Sequence, residues 1–153
     1  MADINRGELA KSYFMEGYNC SQSVAMAFSD LIGMDKDQVA KLVSGFGAGL
    51  SRMREVCGTV SGFTFVISAL YGNSDPKDAK AKQEIYMRVQ TLANKFTQEN
   101  GSIICRELLG LNKKGPDSPT PEPRTQAYYK KRPCPELVAY SATILDEYIK
   151  SQE

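Results

Sequence analysis

Cys20, Cys57, Cys105 and Cys134 are the side chains in this 153-residue sequence whose type most invites chemistry, and the chain contains no histidine. Without histidine there is no Cys–His or Ser–His nucleophilic pair, no His-ligated zinc and no haem attached through C-x-x-C-H. What remains is the chemistry of thiolates, which attack disulfides, reduce oxidants and ligate metals.

The settings of the four cysteines favour that chemistry. Cys57 stands in REVCGTVSG, after Arg54 and before Gly58 and Gly62, where a long apolar segment begins. Cys20 and Cys134 also fall near expected helix starts, and Cys105 closely follows a capping Ser102. A helix start presents free N–H groups and about half a positive charge, which favours thiolate over thiol. Basic residues act in the same direction: Arg54 near Cys57, Arg106 beside Cys105, and Lys131 and Arg132 before Cys134. Cys57, with the arginine and the glycines around it, is the expected attacking thiolate, and any of the other three could resolve a mixed disulfide. Free cysteines are also among the most buried residue types and often simply pack. Four cysteines further suffice for zinc or an iron–sulfur cluster, held by Cys20, Cys57, Cys105 and Cys134 if one is present. No C-x-x-C occurs, however, and the separations are all long.

The elements that must position these residues read as helices. A first stripe, Leu9, Ala10, Tyr13 and Phe14, ends near Gly17. A second, capped by Asn19, carries Cys20, Val24, Ala27, Phe28 and Leu31 as far as Gly33. Asp35 caps a third with Val39, Leu42 and Val43, followed by the glycine-rich GFGAGLSRM. A fourth carries Val56, Val60, Phe63, Ile67 and Leu70. A fifth opens at Asp75-Pro76 and runs through Ile85, Val89, Leu92 and Phe96 to Asn100-Gly101. IICRELLG forms a short sixth, and the last spans roughly Glu136 to Lys150 with Leu137, Ser141, Ile144, Leu145 and Tyr148. Between these two lies a connection, residues 112–135, that holds six of the seven prolines. At about two dozen residues it exceeds ordinary loop lengths, which points to function or loose order. The expectation is an all-α, single-domain bundle of about six to seven helices over 1–153, with a long Pro-rich connection before the last helix.

Other features weigh less. Gly45, Gly47 and Gly49 are spaced G-x-G-x-G after a helix, so they read as a corner and not as a dinucleotide fingerprint. Arg52 and Arg54 leave an anion-holding role open there. Gly58 and Gly62, four apart, let a neighbouring helix come close to Cys57. A formal charge of +1 and the solvated cluster Tyr128–Arg132 give no reason to expect nucleic acid. The most apolar run is too short and too interrupted for membrane insertion, and the N-terminus has no signal-peptide pattern. A cytoplasmic protein is expected, where disulfides are more often catalytic than structural. A homodimer is plausible for a small helical domain, though no motif compels it.

The ordered set GYNCSQSV, VCGTVSG, Cys105 before Leu-Leu-Gly, and Cys134 before a final amphipathic helix resembles the C_GCAxxG_C_C family of redox-active proteins, from roughly Leu9 to Tyr148. The resemblance implies a redox role for the four cysteines, with Gly58 and Gly62 as motif glycines. The sequence departs at Thr59, where the motif has alanine, and the added hydroxyl offers a hydrogen bond nearby. The expectation is thiol–disulfide exchange or electron relay with an unknown redox partner and no cofactor, as a thiol–disulfide oxidoreductase would do. The alternatives are a Cys-ligated metal or iron–sulfur protein, and a helical interaction protein with incidental cysteines.

Overall fold

A computed structural model describes residues 3–111 and 115–153. Among them the backbone forms α1 (Arg6–Met15), α2 (Cys20–Met26), α3 (Ser29–Ile32), α4 (Lys36–Leu42), α5 (Gly47–Leu50), α6 (Gly58–Tyr71), α7 (Ala79–Asn100), α8 (Cys105–Leu108), α9 (Gln126–Lys131) and α10 (Cys134–Ser151). The fold is all-α, as the periodicity implies. The one β-type contact among the described residues is an isolated antiparallel bridge between Val56 and Ile104. No described helix is long and apolar enough to cross a membrane.

The core lies where α1, α2, α6 and α10 meet. α1 packs on α10, α2 on both α1 and α6, and α10 also touches α2 and α6. Phe14, Phe28, Phe63 and Phe96 are fully buried there with Met26, Ile67 and Leu145. Each such side chain contributes roughly 1.5–3 kcal/mol by leaving water, and that holds α2 and α10 in fixed register. α7 covers one side with Leu92 and Phe96.

Several helix ends form as their residues dictate. Asn19 caps α2 through a reciprocal pair of hydrogen bonds with Gln22 (2.9 and 3.0 Å), and Asp35 caps α4. Elsewhere the structure departs from the stripes. The second stripe breaks into α2 and α3 because the buried Arg6 guanidinium takes the Ala27 carbonyl (2.7 Å), lies over the Phe28 ring and pairs with Asp30. Leu31 and Leu42, expected inside, are exposed. α7 starts at Ala79 under an Asp78 cap, three residues past Pro76. Ser102 accepts from Ile104 N in a turn and does not cap α8. The Pro-rich connection contains α9, capped by Thr125, and α10 begins at Cys134 itself. Residues 112–114 of that connection lie outside the described residues.

The glycine-rich corner is the least ordinary backbone in the molecule. Ala48, Gly49, Leu50, Ser51 and Arg52 all have φ between 52 and 69°, and Arg54 has φ 61°. α5 is therefore a turn of left-handed helix, closed by Ser51 N donating to Gly47 O at 2.8 Å. Each non-glycine residue so wound costs roughly 1–2 kcal/mol, so the surrounding contacts must over-determine the shape. Those contacts come from the Pro-rich connection. Arg52 Nε donates to Ser118 O (2.6 Å), Asp117 N donates to Arg52 O (2.9 Å), and Arg54 Nε pairs with Asp117 (2.8 Å).

Candidate functional site

Each of the four thiols stands at a helix start. Cys20, Cys105 and Cys134 are the first residues of α2, α8 and α10, and Cys57 is the cap residue of α6. All four line one cavity of about 50 Å³, with Arg54, Arg124, Arg132 and Tyr128 on its wall. One buried water needs roughly 10–15 Å³ of such space, so the cavity admits a few waters or a few atoms of a larger molecule.

Three packing relations assemble this wall. The first is the approach of α2 to α6. A Cβ on Gly58 would lie 3.0 Å from Cys20 Cβ and 3.1 Å from Gly47 Cα, and one on Gly62 would lie 2.9 Å from Ser21 O. The second is the Val56–Ile104 bridge, in which Cys57 N donates to Ile103 O (2.7 Å) and Cys105 N to Glu55 O (2.6 Å). Side chains alternate across such a bridge, so Cys57 and Cys105 share the face opposite Val56 and Ile104. Gly49 makes room beside them, since a Cβ there would fall 2.6 Å from Cys105 Cβ. The third is the docking of α10, which brings Cys134 to Cys20.

The four thiols are not equivalent. A hydrogen bond from the Cys20 thiol holds Cys134 below its ordinary value, aided by the Arg132 charge, and the same interaction, with burial, holds Cys20 well above its own. Burial pushes Cys57 up to about 12, reinforced by its neighbour Cys20, and the Thr59 hydroxyl 3.2 Å from its sulfur opposes this only in part. Burial also raises Cys105, against the pull of Arg54. Cys134 is thus the thiol that most readily carries charge, and it is the one that is only half-buried.

Two sequence-based pairings are redrawn. Arg54 does not serve Cys57: its guanidinium pairs with Asp117 and places Nη1 3.7 Å from Cys105 Sγ. The left-handed φ of Arg54 and the anchor at Asp117 direct the side chain that way. Arg106, adjacent to Cys105, turns outward to Glu55. Of the two basic residues before Cys134, Arg132 reaches the cavity and pairs with Glu122, whereas Lys131 is exposed.

Reading the sequence did not find Arg124, and it placed Tyr128 in a solvated cluster, whereas Tyr128 lies on α9 and lines the cavity. Arg124 donates to the carbonyls of Phe14 (3.0 Å) and Tyr18 (3.1 Å) and lies against the rings of Phe14, Tyr128 and Tyr129. The available signal was the length of the Pro-rich connection, which implied a function without saying which residue performs it.

As to metal ligation, among the described residues no three cysteine or carboxylate side chains come together as an ion would require. The sulfurs line a wall and do not converge on one point.

A model of the family described as "Putative redox-active protein (C_GCAxxG_C_C)" matches residues 18–148, a span that contains all four cysteines. No curated protein and no solved structure matches the chain.

Proposed function

The chain belongs to the C_GCAxxG_C_C family, and from that premise we propose that it exchanges thiols and disulfides, with Cys134, in place of the Cys57 expected from the sequence, as attacking thiolate and Cys20 as resolving thiol. One observation carries this reading. Cys20 and Cys134 line the same cavity, Cys134 is the thiol of the four that is only half-buried, and their mutual interaction favours charge on Cys134 over Cys20.

The Cys134 thiolate attacks one sulfur of a substrate disulfide, and the other sulfur leaves as a thiolate that takes up a proton. The Cys20 thiol then loses its proton and attacks Cys134 Sγ. This expels the remaining half of the substrate as a second thiolate and leaves a Cys20–Cys134 disulfide. Two electrons have passed from the protein dithiol to the substrate. An external dithiol, oxidised in turn to a disulfide, restores the pair. Cys57 and Cys105, both raised by burial, line the same cavity, and an electron relay through them is the extension of the same chemistry. The cytoplasm, where thiols are kept reduced, is the compartment this reading fits.

The test uses the neutral bis(2-hydroxyethyl) disulfide with intact-mass and peptide mapping. Wild-type protein is expected to finish with a Cys20–Cys134 bridge, and Cys20→Ser to stop at a mixed disulfide on Cys134. Modification that begins at another cysteine, or the absence of any bridge, would overturn the assignment. Anaerobic purification with absorption spectroscopy and metal analysis separates the metal alternative. Stoichiometric iron or zinc, lost when a single cysteine is replaced, would put a metal site in place of the exchange reading.

A further inference from the structure

The cysteine cavity is too small for a disulfide substrate, but it has an antechamber. A second pocket of about 370 Å³ shares Asn19, Ala48, Arg54, Arg124 and Tyr128 with it and opens outward between the left-handed turn and the Pro-rich connection. That volume lies within the roughly 300–1,000 Å³ typical of small-molecule sites.

Its charge is one-sided. Two acids stand near the mouth, and both are taken: Asp117 by Arg54 and Glu122 by Arg132. Arg52 and Arg124 have no carboxylate partner among the described residues. Arg52 uses Nε on Ser118 O, which leaves its two terminal nitrogens for another acceptor. Arg124 spends its bonds on two backbone carbonyls, which anchor the side chain and leave its charge uncompensated. On the inner side the Arg132 Nε is buried without a hydrogen-bond partner. Guanidinium groups recognise carboxylates through paired N–H donors in a fixed fork, and Pro119 and Pro121 supply an apolar wall beside them.

We propose that this antechamber binds a small disulfide bearing carboxylate groups, its anionic end held by Arg52 and Arg124 and its sulfurs directed towards Cys134. The proposal rests on the exchange reading for its chemistry, which is the attack already described, and adds the substrate class.

Three disulfides test it: dianionic 3,3′-dithiodipropionate, neutral bis(2-hydroxyethyl) disulfide and dicationic cystamine. Each rate of reaction with the protein is divided by that disulfide's rate with a small free thiol. The anion should then lead the cation by about tenfold or more at low salt, with the lead shrinking as salt is added. Arg52→Gln should lower the anion-to-neutral ratio by roughly three- to tenfold. Equal normalised rates for the three, or a ratio untouched by Arg52→Gln, would overturn the substrate class while leaving exchange intact. Should no disulfide react, the exchange reading fails, and binding of suberate, the same dianion with methylenes for sulfurs, still decides on the pocket. Suberate should shift the side-chain N–H resonances of Arg52 and Arg124 in wild type and bind more weakly to Arg52→Gln. No shift on adding suberate would end the proposal.

Discussion

Arg54 lies with one guanidinium nitrogen 3.7 Å from the Cys105 sulfur while its Nε is bonded to Asp117 at 2.8 Å. A single side chain thereby couples the left-handed turn, the Pro-rich connection and the cysteine wall. Both members of the Arg54–Asp117 pair are well shielded from water, so losing either one removes a charge-assisted hydrogen bond from a partly dry site. Arg54→Met is expected to lower stability by about 1.5–3 kcal/mol, with Asp117→Asn milder. Urea unfolding measures both. Arg54→Met should also slow alkylation of Cys105 at mildly alkaline pH, because the charge that favours its thiolate is gone.

Replacing Cys20 should change the titration of Cys134. The interaction with Cys20 is the main cause of the lowered value at Cys134, so Cys20→Ala is expected to raise it. The pH at which iodoacetamide reacts at half its maximal rate with Cys134 is expected to move upwards. An unchanged midpoint would mean that Arg132 or the helix start sets the Cys134 charge instead.

Cys57 gives a pH dependence of stability with a definite sign. Its native value of about 12 stands above the ordinary 9.0, so the folded protein keeps a proton that the unfolded chain releases. The stabilisation is intact below about pH 9 and is lost as pH rises towards about 12. Each such thiol contributes a slope of at most about 1.4 kcal/mol per pH unit. Urea unfolding under reducing conditions should show Cys57→Ala declining less steeply than wild type between about pH 9 and about pH 11.

Gly58 and Gly62 allow α6 to approach α2, and the contacts are with backbone as well as side chains. Gly62→Ala should cost about 1–3 kcal/mol through overpacking against Ser21 O. Gly45→Ala is the control, since its Cβ would meet nothing nearer than 3.8 Å. Equal melting temperatures for the two variants would show that α2 and α6 can separate without loss.

Ala48 has φ 56° and ψ 39°, a conformation glycine adopts freely. Ala48→Gly is expected to stabilise the protein by about 1 kcal/mol, an unusual sign for that substitution. Thermal unfolding reads it directly.

Much of the helical layout was legible in the sequence because spacing and caps act locally. Asn19 and Asp35 cap the helices they precede, and Phe14, Val24, Phe63, Phe96 and Leu145 are buried as their stripes require. What escaped was set by distant partners. The break at Ala27–Phe28 needs Arg6, and the route of Arg54 needs Asp117, more than sixty residues away. The left-handed turn could not be read either, since Leu50, Ser51 and Arg52 carry no glycine signal and are held by Ser118 and Asp117. At the site, the sequence put Cys57 first among four cysteines because of the adjacent Arg54 and glycines, whereas Arg54 turns to Cys105 and burial raises Cys57. Their ranking depends on burial and mutual contact, which exist only once α10 docks on α2.

Cys20 and Cys134 stand more than a hundred residues apart along the chain. A covalent bond between them would close about three-quarters of the polypeptide into a ring, and a loop of that length removes about 4.7 kcal/mol of disorder from the denatured ensemble in the chain-entropy account. Folding and oxidation then reinforce one another. Whatever the native contacts contribute to bringing the two sulfurs together also makes the bond harder to reduce, so the redox potential of the pair would report the integrity of the whole fold.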